Sequence, residues 1–239
     1  MTKLRPKTFA IVPAAGAGKR LGGEVKKQFL VLRDKPIIVH TLQRFEHCAE
    51  IDEIAVAVPE QSIAEMESLI SRYRLHKVST VTVGGERRQD SVYNVLRLFT
   101  FKPTDIVLVH DGVRPFIEPK RITHLIRMCK EHGAAVLAVQ PKDTIKRSRG
   151  GEFFDQTMDR NALWMVQTPQ AFRASILMKA FKQARHDRFY GTDETGLVER
   201  IGVKIRIVEG SYDNIKITTE EDIDLGRLIL ERWKSKGLL

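Results

Sequence analysis

Apolar and polar positions alternate in blocks along this chain. Short runs rich in Ile and Val read as strands at Phe9–Val12, Ile54–Val58, Val78–Val83, Ile106–Val109 and Ala135–Val139. Between them, apolar residues recur at helical spacing near Pro36–Cys48, Gln61–Tyr73, Asp90–Phe99 and Lys120–Glu131. Pro36 and Pro119 suit helix starts, where a missing N–H leaves no bond unmade. Strand–helix alternation with nearly continuous apolar strands predicts an α/β fold, with a mainly parallel sheet covered on both faces. In such sheets ligands gather at the carboxyl ends of the strands. Gly16, the Gly84-Gly85 pair and Asp111 follow the first, third and fourth of these strands.

The rhythm changes after Val139. Residues Gln140–Val166 read as two extended arms around Arg149-Gly150-Gly151-Glu152, because Gly-Gly suits a tight turn with positive φ. An isolated hairpin is marginal in water. This one carries Ile145, Phe153, Phe154, Met158, Leu163 and Trp164, so its apolar side needs a surface to pack on. The expectation is a projecting β-arm at 140–166 that docks on a second copy in a homodimer; folding back onto its own domain is the alternative. The chain then returns to α/β order, with helices near Ser175–Arg185 and Asp193–Ile201, strands at Lys204–Val208 and Asn214–Ile217, and a last helix from Glu220 to about Lys234. No internal repeat or low-complexity linker interrupts residues 1–239, which read as a single domain.

Composition narrows the class. Hydrophobic residues at 42% and charged residues at 29% suit a soluble globular protein. A net charge of +10 draws acidic partners. The basic residues are scattered, and no basic patch interleaved with aromatics appears, which argues against nucleic acid as the partner. Two distant cysteines, Cys48 and Cys129, read as buried free thiols in a reducing compartment. No pattern of Cys or His fits a zinc site, and no apolar run is long enough to span a membrane. A cytoplasmic protein is the expectation.

The opening strand feeds Pro13-Ala14-Ala15-Gly16-Ala17-Gly18-Lys19-Arg20, with Lys26-Lys27-Gln28 close behind. Small residues let the backbone approach a ligand and aim N–H groups at it, and cations just beyond point to a polyphosphate. The loop matches neither familiar nucleotide motif. Leu21 stands where a dinucleotide fingerprint needs its third Gly, and Arg20 where a P-loop needs Ser or Thr.

Further motifs follow in order: Lys27-Gln28-Phe29, Gly84-Gly85-x-x-Arg88-x-x-Ser91-Val92, His110-Asp111-x-x-Arg114-Pro115, Asp143-Thr144-Ile145-Lys146, Arg160-x-x-Leu163-Trp164-x-x-Gln167-Thr168-Pro169-Gln170, Thr192-Asp193-Glu194 and Asn214-Ile215-Lys216-Ile217-Thr218. Together they resemble the 2-C-methyl-D-erythritol 4-phosphate cytidylyltransferases over nearly the whole chain. The resemblance implies a Rossmann-like three-layer nucleotidyltransferase fold. It also implies transfer of CMP from CTP to methylerythritol phosphate, with Mg²⁺ and release of pyrophosphate, in the non-mevalonate isoprenoid pathway.

The residues suit that chemistry on physical grounds. Bringing two polyanions together costs about 4 kcal/mol per like-charge pair at roughly 4 Å and an effective dielectric of about 20, so cations must offset the repulsion. A phosphate nucleophile is mostly ionised at neutral pH, so catalysis needs positioning and charge stabilisation rather than a general base.

The resemblance implies that Arg20, Lys27 and Lys216 contact phosphates. It implies that Arg160 reaches the acceptor from a partner's arm, with Thr144, Thr168 and Arg114 nearby. Ala14, Ala15, Gly16, Gly85, Glu86 and Ser91 match the part that encloses the nucleotide. Ser91 also reads as a helix cap, and Arg114 also as a structural ion-pair partner. Asp111 reads as the best carboxylate for Mg²⁺ or ribose, and His110, facing the other way, as a packed core histidine. Two departures stand out: Val25 replaces a usual Pro, and Gly112-Val113 replaces Ala-Ala. A Val-Arg-Pro sequence also occurs in the ribitol 5-phosphate cytidylyltransferases, so another polyol phosphate is the alternative acceptor. A basic nucleic-acid-binding protein is the rival from another class.

Overall fold

The computed structural model describes residues 5–16 and 26–238. The motif residues from Ala17 to Val25, Arg20 among them, lie outside the described residues. Strand β1 (Thr8–Pro13) is followed among the described residues by a 3₁₀ turn at Lys27–Phe29, the short strands β2 (Val31–Leu32) and β3 (Lys35–Pro36), and helix α1 (Ile37–Glu46). Next come β4 (Glu53–Val58), α2 (Ile63–Arg72), β5 (Val78–Val83), α3 (Arg88–Leu96), β6 (Ile106–Val109), α4 (Pro119–His132) and β7 (Ala134–Val139). A small ladder of β8 (Lys146–Arg147) and β9 (Gln156–Thr157) precedes β10 (Met165–Arg173). The elements α5 (Ala174–His186), α6 (Glu194–Arg200), β11 (Arg206–Glu209) and α7 (Glu220–Ser235) complete the order.

The central sheet runs β11-β7-β10-β6-β1-β4-β5. All its pairings are parallel except those of β10, which runs against both β6 and β7. Side chains alternate across each strand, so one residue set faces each layer of helices. Ala10, Val12, Ile54, Val56 and Leu108 pack under α1, α2 and α4. Ile11, Ala55, Ala57, Val107 and Val109 pack under α3, α5 and α6. A third cluster holds α7 against the loops beyond β6: Trp233 and Ile229 meet Phe116, Val113 and Ile217. This is the mainly parallel three-layer architecture expected from the sequence.

One expected strand fails, and one strand was not expected. Asn214–Ile217 is not a strand; only the Ile217 N–H pairs across, donating to the Val113 carbonyl at 2.9 Å. Ile215 and Ile217 are apolar because they pack against the α7 cluster, not because they pair in a sheet. Conversely, β10 gives no apolar run to read. Its middle is Gln167-Thr168-Pro169-Gln170, all buried, with an irregularity in the ladder between Val166 and Gln170 that accommodates the proline. The Gln167 side chain donates to the Ser211 carbonyl at 2.8 Å and Gln170 donates to Asp193 at 2.8 Å, so these buried polar groups are satisfied.

The 140–166 segment is less regular than two long arms. Its paired strands are two residues each, and its tip carries Gly151 at φ +89°. Phe153 and Phe154 are 82% and 73% exposed, so neither folds back onto its own sheet.

Trp233 joins α7 to the loop that presents Lys216. It packs edge-on to Phe116 with centroids 5.9 Å apart, and its indole N–H donates to Asp213 at 3.0 Å. Trp233→Ala should lower unfolding free energy by about 3–5 kcal/mol, the usual range for deleting a buried aromatic. Urea denaturation measures this; a loss below about 1 kcal/mol would show that the cluster does not hold α7.

Candidate active site

The site lies in the crevice beyond the carboxyl ends of β1 and β6, where the chain leaves β1 toward one edge of the sheet and β6 toward the other. Three segments converge there. After β1, the Ala14 N–H donates to the Ala57 carbonyl at 2.7 Å, and the buried Gln28 side chain donates to the Ala14 carbonyl at 2.6 Å. After β5, the Gly84 N–H donates to the Val58 carbonyl at 2.8 Å. A Cβ at Gly84 would lie 2.2 Å from that of Ala15, so the two loops touch only because this position is glycine. Ser91 does not cap α3. From its first turn the hydroxyl accepts the Gly85 N–H at 3.0 Å and donates to the Arg87 carbonyl at 3.2 Å, bracing the Gly-Gly turn.

Two pockets open here. The first brings together Ala14, Ala15, Gly16, Lys27, Gly85, Glu86 and Ser91 with Asp111 and Lys216. The second is lined by Arg114, Gln167, Thr168, Gln170, Thr192 and Asp193. Arg88, Asp111 and Lys216 line both.

Asp111 is the hub of this shared wall, and only 6% of it is exposed. Its Oδ1 accepts from Arg88 Nε at 2.9 Å; its Oδ2 meets Lys216 Nζ at 3.0 Å and Arg114 Nε at 3.3 Å. Burial pushes the carboxyl up, but Arg88, Lys216 and Arg114 more than reverse this and hold it well below the usual carboxylate range. Its backbone N–H donates to the Thr168 hydroxyl at 3.0 Å. That hydroxyl donates in turn to His110 Nδ1 at 3.1 Å, while His110 Nε2 donates to the Arg114 carbonyl at 2.9 Å. Arg114 also donates to the Asn214 carbonyl at 2.8 Å, and the buried Asn214 side chain donates to the Thr168 carbonyl at 2.8 Å. Arg114 therefore both lines the second pocket and makes the ion pair named as its alternative role.

The surroundings of Asp111 bear on the expected metal role. Among the described residues no group of three His, Cys, Asp or Glu side chains could hold a metal ion. Asp111 is a lone carboxylate already engaged by three cations. A divalent ion roughly 4 Å from each would meet about 8 kcal/mol of repulsion per cation at an effective dielectric of about 20, more than one carboxylate offsets. The residues present do not fit a resident Mg²⁺ on Asp111; they fit an arriving polyanion.

Two sequence-assigned residues are not gathered into either pocket. Thr144 and Arg160 are exposed on the 140–166 segment, where Arg160 donates to the Lys142 carbonyl at 2.9 Å. Arg20 lies outside the described residues. Sequence reasoning assigned no role to Arg88, Glu194, Gln28 or Asn214, although each stands in a motif quoted above. Gly112 has a local reason: a Cβ there would lie 2.9 Å from Ile38 and 3.0 Å from Ala14, the first residue after β1.

The fold and this cation-rich crevice define a nucleotidyltransferase. A family model for the IspD, 2-C-methyl-D-erythritol 4-phosphate cytidylyltransferase, matches residues 8–232. The chain belongs to that family. It is 46% identical over 221 residues to the 2-C-methyl-D-erythritol 4-phosphate cytidylyltransferase of Geobacillus kaustophilus, covering 92% of this chain and 96% of that one. The Syntrophus aciditrophicus protein of the same name is 40% identical, covering 98% and 100%. Among solved structures, the 4-diphosphocytidyl-2C-methyl-D-erythritol synthase of Anaerococcus prevotii superposes with a TM-score of 0.83 at 29% identity, covering 95% and 97%. The 2-C-methyl-D-erythritol 4-phosphate cytidylyltransferase of Francisella tularensis gives 0.79 at 32%, covering 93% and 99%.

His110 supplies a pH test. Burial lowers it to about 4, so it is neutral in the folded protein and protonates more readily when unfolded. Its contribution is present above the unfolded value near 6.5 and is lost as pH falls from there toward 4. Between pH 7 and 4.5 the wild type should lose measurably more stability than His110→Gln. Equal losses in paired denaturation curves would show that His110 is not held neutral.

Proposed function

We propose that the chain transfers the cytidylyl group of CTP to 2-C-methyl-D-erythritol 4-phosphate, with the first pocket holding the nucleotide and the second the acceptor. The observation that carries this is the shared wall of Arg88, Asp111 and Lys216, which sets one pocket against the other. An acceptor phosphate oxygen attacks the α-phosphorus of CTP, the bond to the bridging β-phosphate oxygen breaks, and pyrophosphate leaves with the electron pair. No base is required, because the nucleophile is already ionised. This suits a site whose nearest imidazole, His110, has both ring nitrogens hydrogen-bonded and burial against it.

Lys27 and Lys216, with Arg20, offset the repulsion between the anions and stabilise charge on the pentacovalent transition state. Lys216 exchanges its ion pair with Asp111 for phosphate oxygens. Backbone groups of Gly85-Glu86 read the cytosine edge, while the Ala14–Gly16 loop aims its N–H groups at the phosphates. Magnesium belongs with the triphosphate as its counter-charge, not on Asp111.

The working unit in this reading is a homodimer. The exposed Phe153 and Phe154 of the β-arm need a partner, and an apolar groove lined by Leu163, Trp164, Val166, Val203, Ile205 and Ile207 lies open beside β11. Arg160 and Thr144 would then reach the acceptor pocket of the second copy. No helix among the described residues is long and apolar enough to cross a membrane. The buried free thiols of Cys48 and Cys129 favour the cytoplasm.

The direct test is pyrophosphate release from CTP and Mg²⁺ with a panel of polyol phosphates. Methylerythritol phosphate should support the fastest turnover; faster turnover with ribitol 5-phosphate would reassign the acceptor. Lys27→Ala should lower kcat by roughly a hundredfold or more with the fold intact. Mixed dimers of an Arg20 variant and an Arg160 variant should regain one working site. Absence of rescue would contradict a site shared between copies.

A further inference from the structure

Two motif segments take no part in the bond-making step above, Arg87-Arg88-Gln89 and Thr192-Asp193-Glu194, and the structure joins them. Glu194, the first residue of α6, is 1% exposed, and both of its carboxylate oxygens accept from Arg88 Nη1 at 2.8 Å. Arg88 Nε reaches Asp111 at 2.9 Å from the same guanidinium. A buried carboxylate is costly to keep unless it is paired, and here its partner is also the side chain that holds the hub.

The neighbours strengthen the link. Gln89 donates to the Phe189 carbonyl at 3.1 Å and accepts the Gly191 N–H at 3.0 Å. The Arg87 guanidinium lies 3.9 Å from the centroid of the Tyr190 ring. Three successive residues at the start of α3 thus grip the segment leading into α6, immediately beyond the Gly84-Gly85 turn of the nucleotide pocket.

We propose, resting on the cytidylyl-transfer reading of the two pockets, that Glu194 and Arg88 form a positioning pair that fixes the Asp111 carboxylate. With Oδ1 held by Arg88, Oδ2 stays turned to Lys216 and Arg114, the cations that must meet the phosphates and the acceptor. Without Arg88, Asp111 can rotate and draw Lys216 with it. Without the Glu194 charge, Arg88 keeps only Asp111 as a carboxylate partner and loses the anchor that fixes its fork. Neither residue is assigned bond-making contact with the substrates; both act through Asp111.

The experiment measures kcat and both KM values for wild type, Arg88→Lys, Glu194→Gln and the double variant, with kcat expressed per folded CTP-binding site. Arg88→Lys keeps the charge and loses the fork; Glu194→Gln keeps the volume and loses the charge. Each single change should lower kcat by roughly tenfold or more while the KM for CTP stays within about threefold. The double variant should be no worse than the poorer single one by more than about threefold, because both changes cut the same link. Wild-type kcat in either folded single variant overturns the proposal, as do multiplied losses in the double. A raised KM for CTP with unchanged kcat overturns it by making Arg88 a nucleotide ligand, and failure of both single variants to fold makes the pair a stability device instead. Wild type without CTP-dependent pyrophosphate release would sink the functional reading itself, a separate failure.

Discussion

One carboxylate holding three cations is the constraint on which the site depends. Asp111 is nearly buried, and Arg88, Arg114 and Lys216 reach it from α3, from the loop after β6 and from the loop before α7. Buried charges must be compensated, so those three segments cannot move independently of the carboxylate. With Glu194 included, the cluster carries three positive and two negative side chains. The excess is positive and lies at the wall between two pockets, where anions have to meet. The lysine and the arginines are thereby ordered before any ligand arrives, which lowers the cost of organising them during reaction.

The sheet supplies the rigidity this needs. Parallel strands β1 and β6 end side by side and deliver the Ala14–Gly16 loop and Asp111 to one crevice. The antiparallel β10 runs beside β6 and brings the Thr168 hydroxyl to the backbone of Asp111 and to His110. Asn214 closes the arrangement by tying the Lys216 loop to the Thr168 carbonyl, while Trp233 and Ile217 anchor that loop from below. Thr168 therefore has a structural role that its motif alone does not reveal.

The parallel strands β1, β4, β6 and β7 were legible because each is a short apolar run buried on both faces, and the helices because their apolar stripe has one period. The glycine-lined loop and Asp111 were legible because they follow such strands. Strand β10 was hidden because its buried side chains are polar and satisfied by partners distant in sequence, which no local pattern encodes. Asn214–Ile217 misled for the opposite reason: its alternation records packing against α7 rather than pairing in the sheet. Arg88 and Glu194 were visible as residue types, but their meaning lies in a contact across 106 positions. Likewise, the sequence offered Asp111 as a carboxylate for metal, and only the geometry exposes the cations already on it.

The most direct test of this account is where a divalent cation sits once CTP is bound. Crystals of the CTP complex grown with Mn²⁺ in place of Mg²⁺ would locate it by anomalous scattering. The account predicts a peak among the triphosphate oxygens, with the Asp111 carboxylate still held by Arg88 and outside coordination distance. A peak at about 2.1–2.3 Å from an Asp111 oxygen, with the arginines displaced, would contradict it.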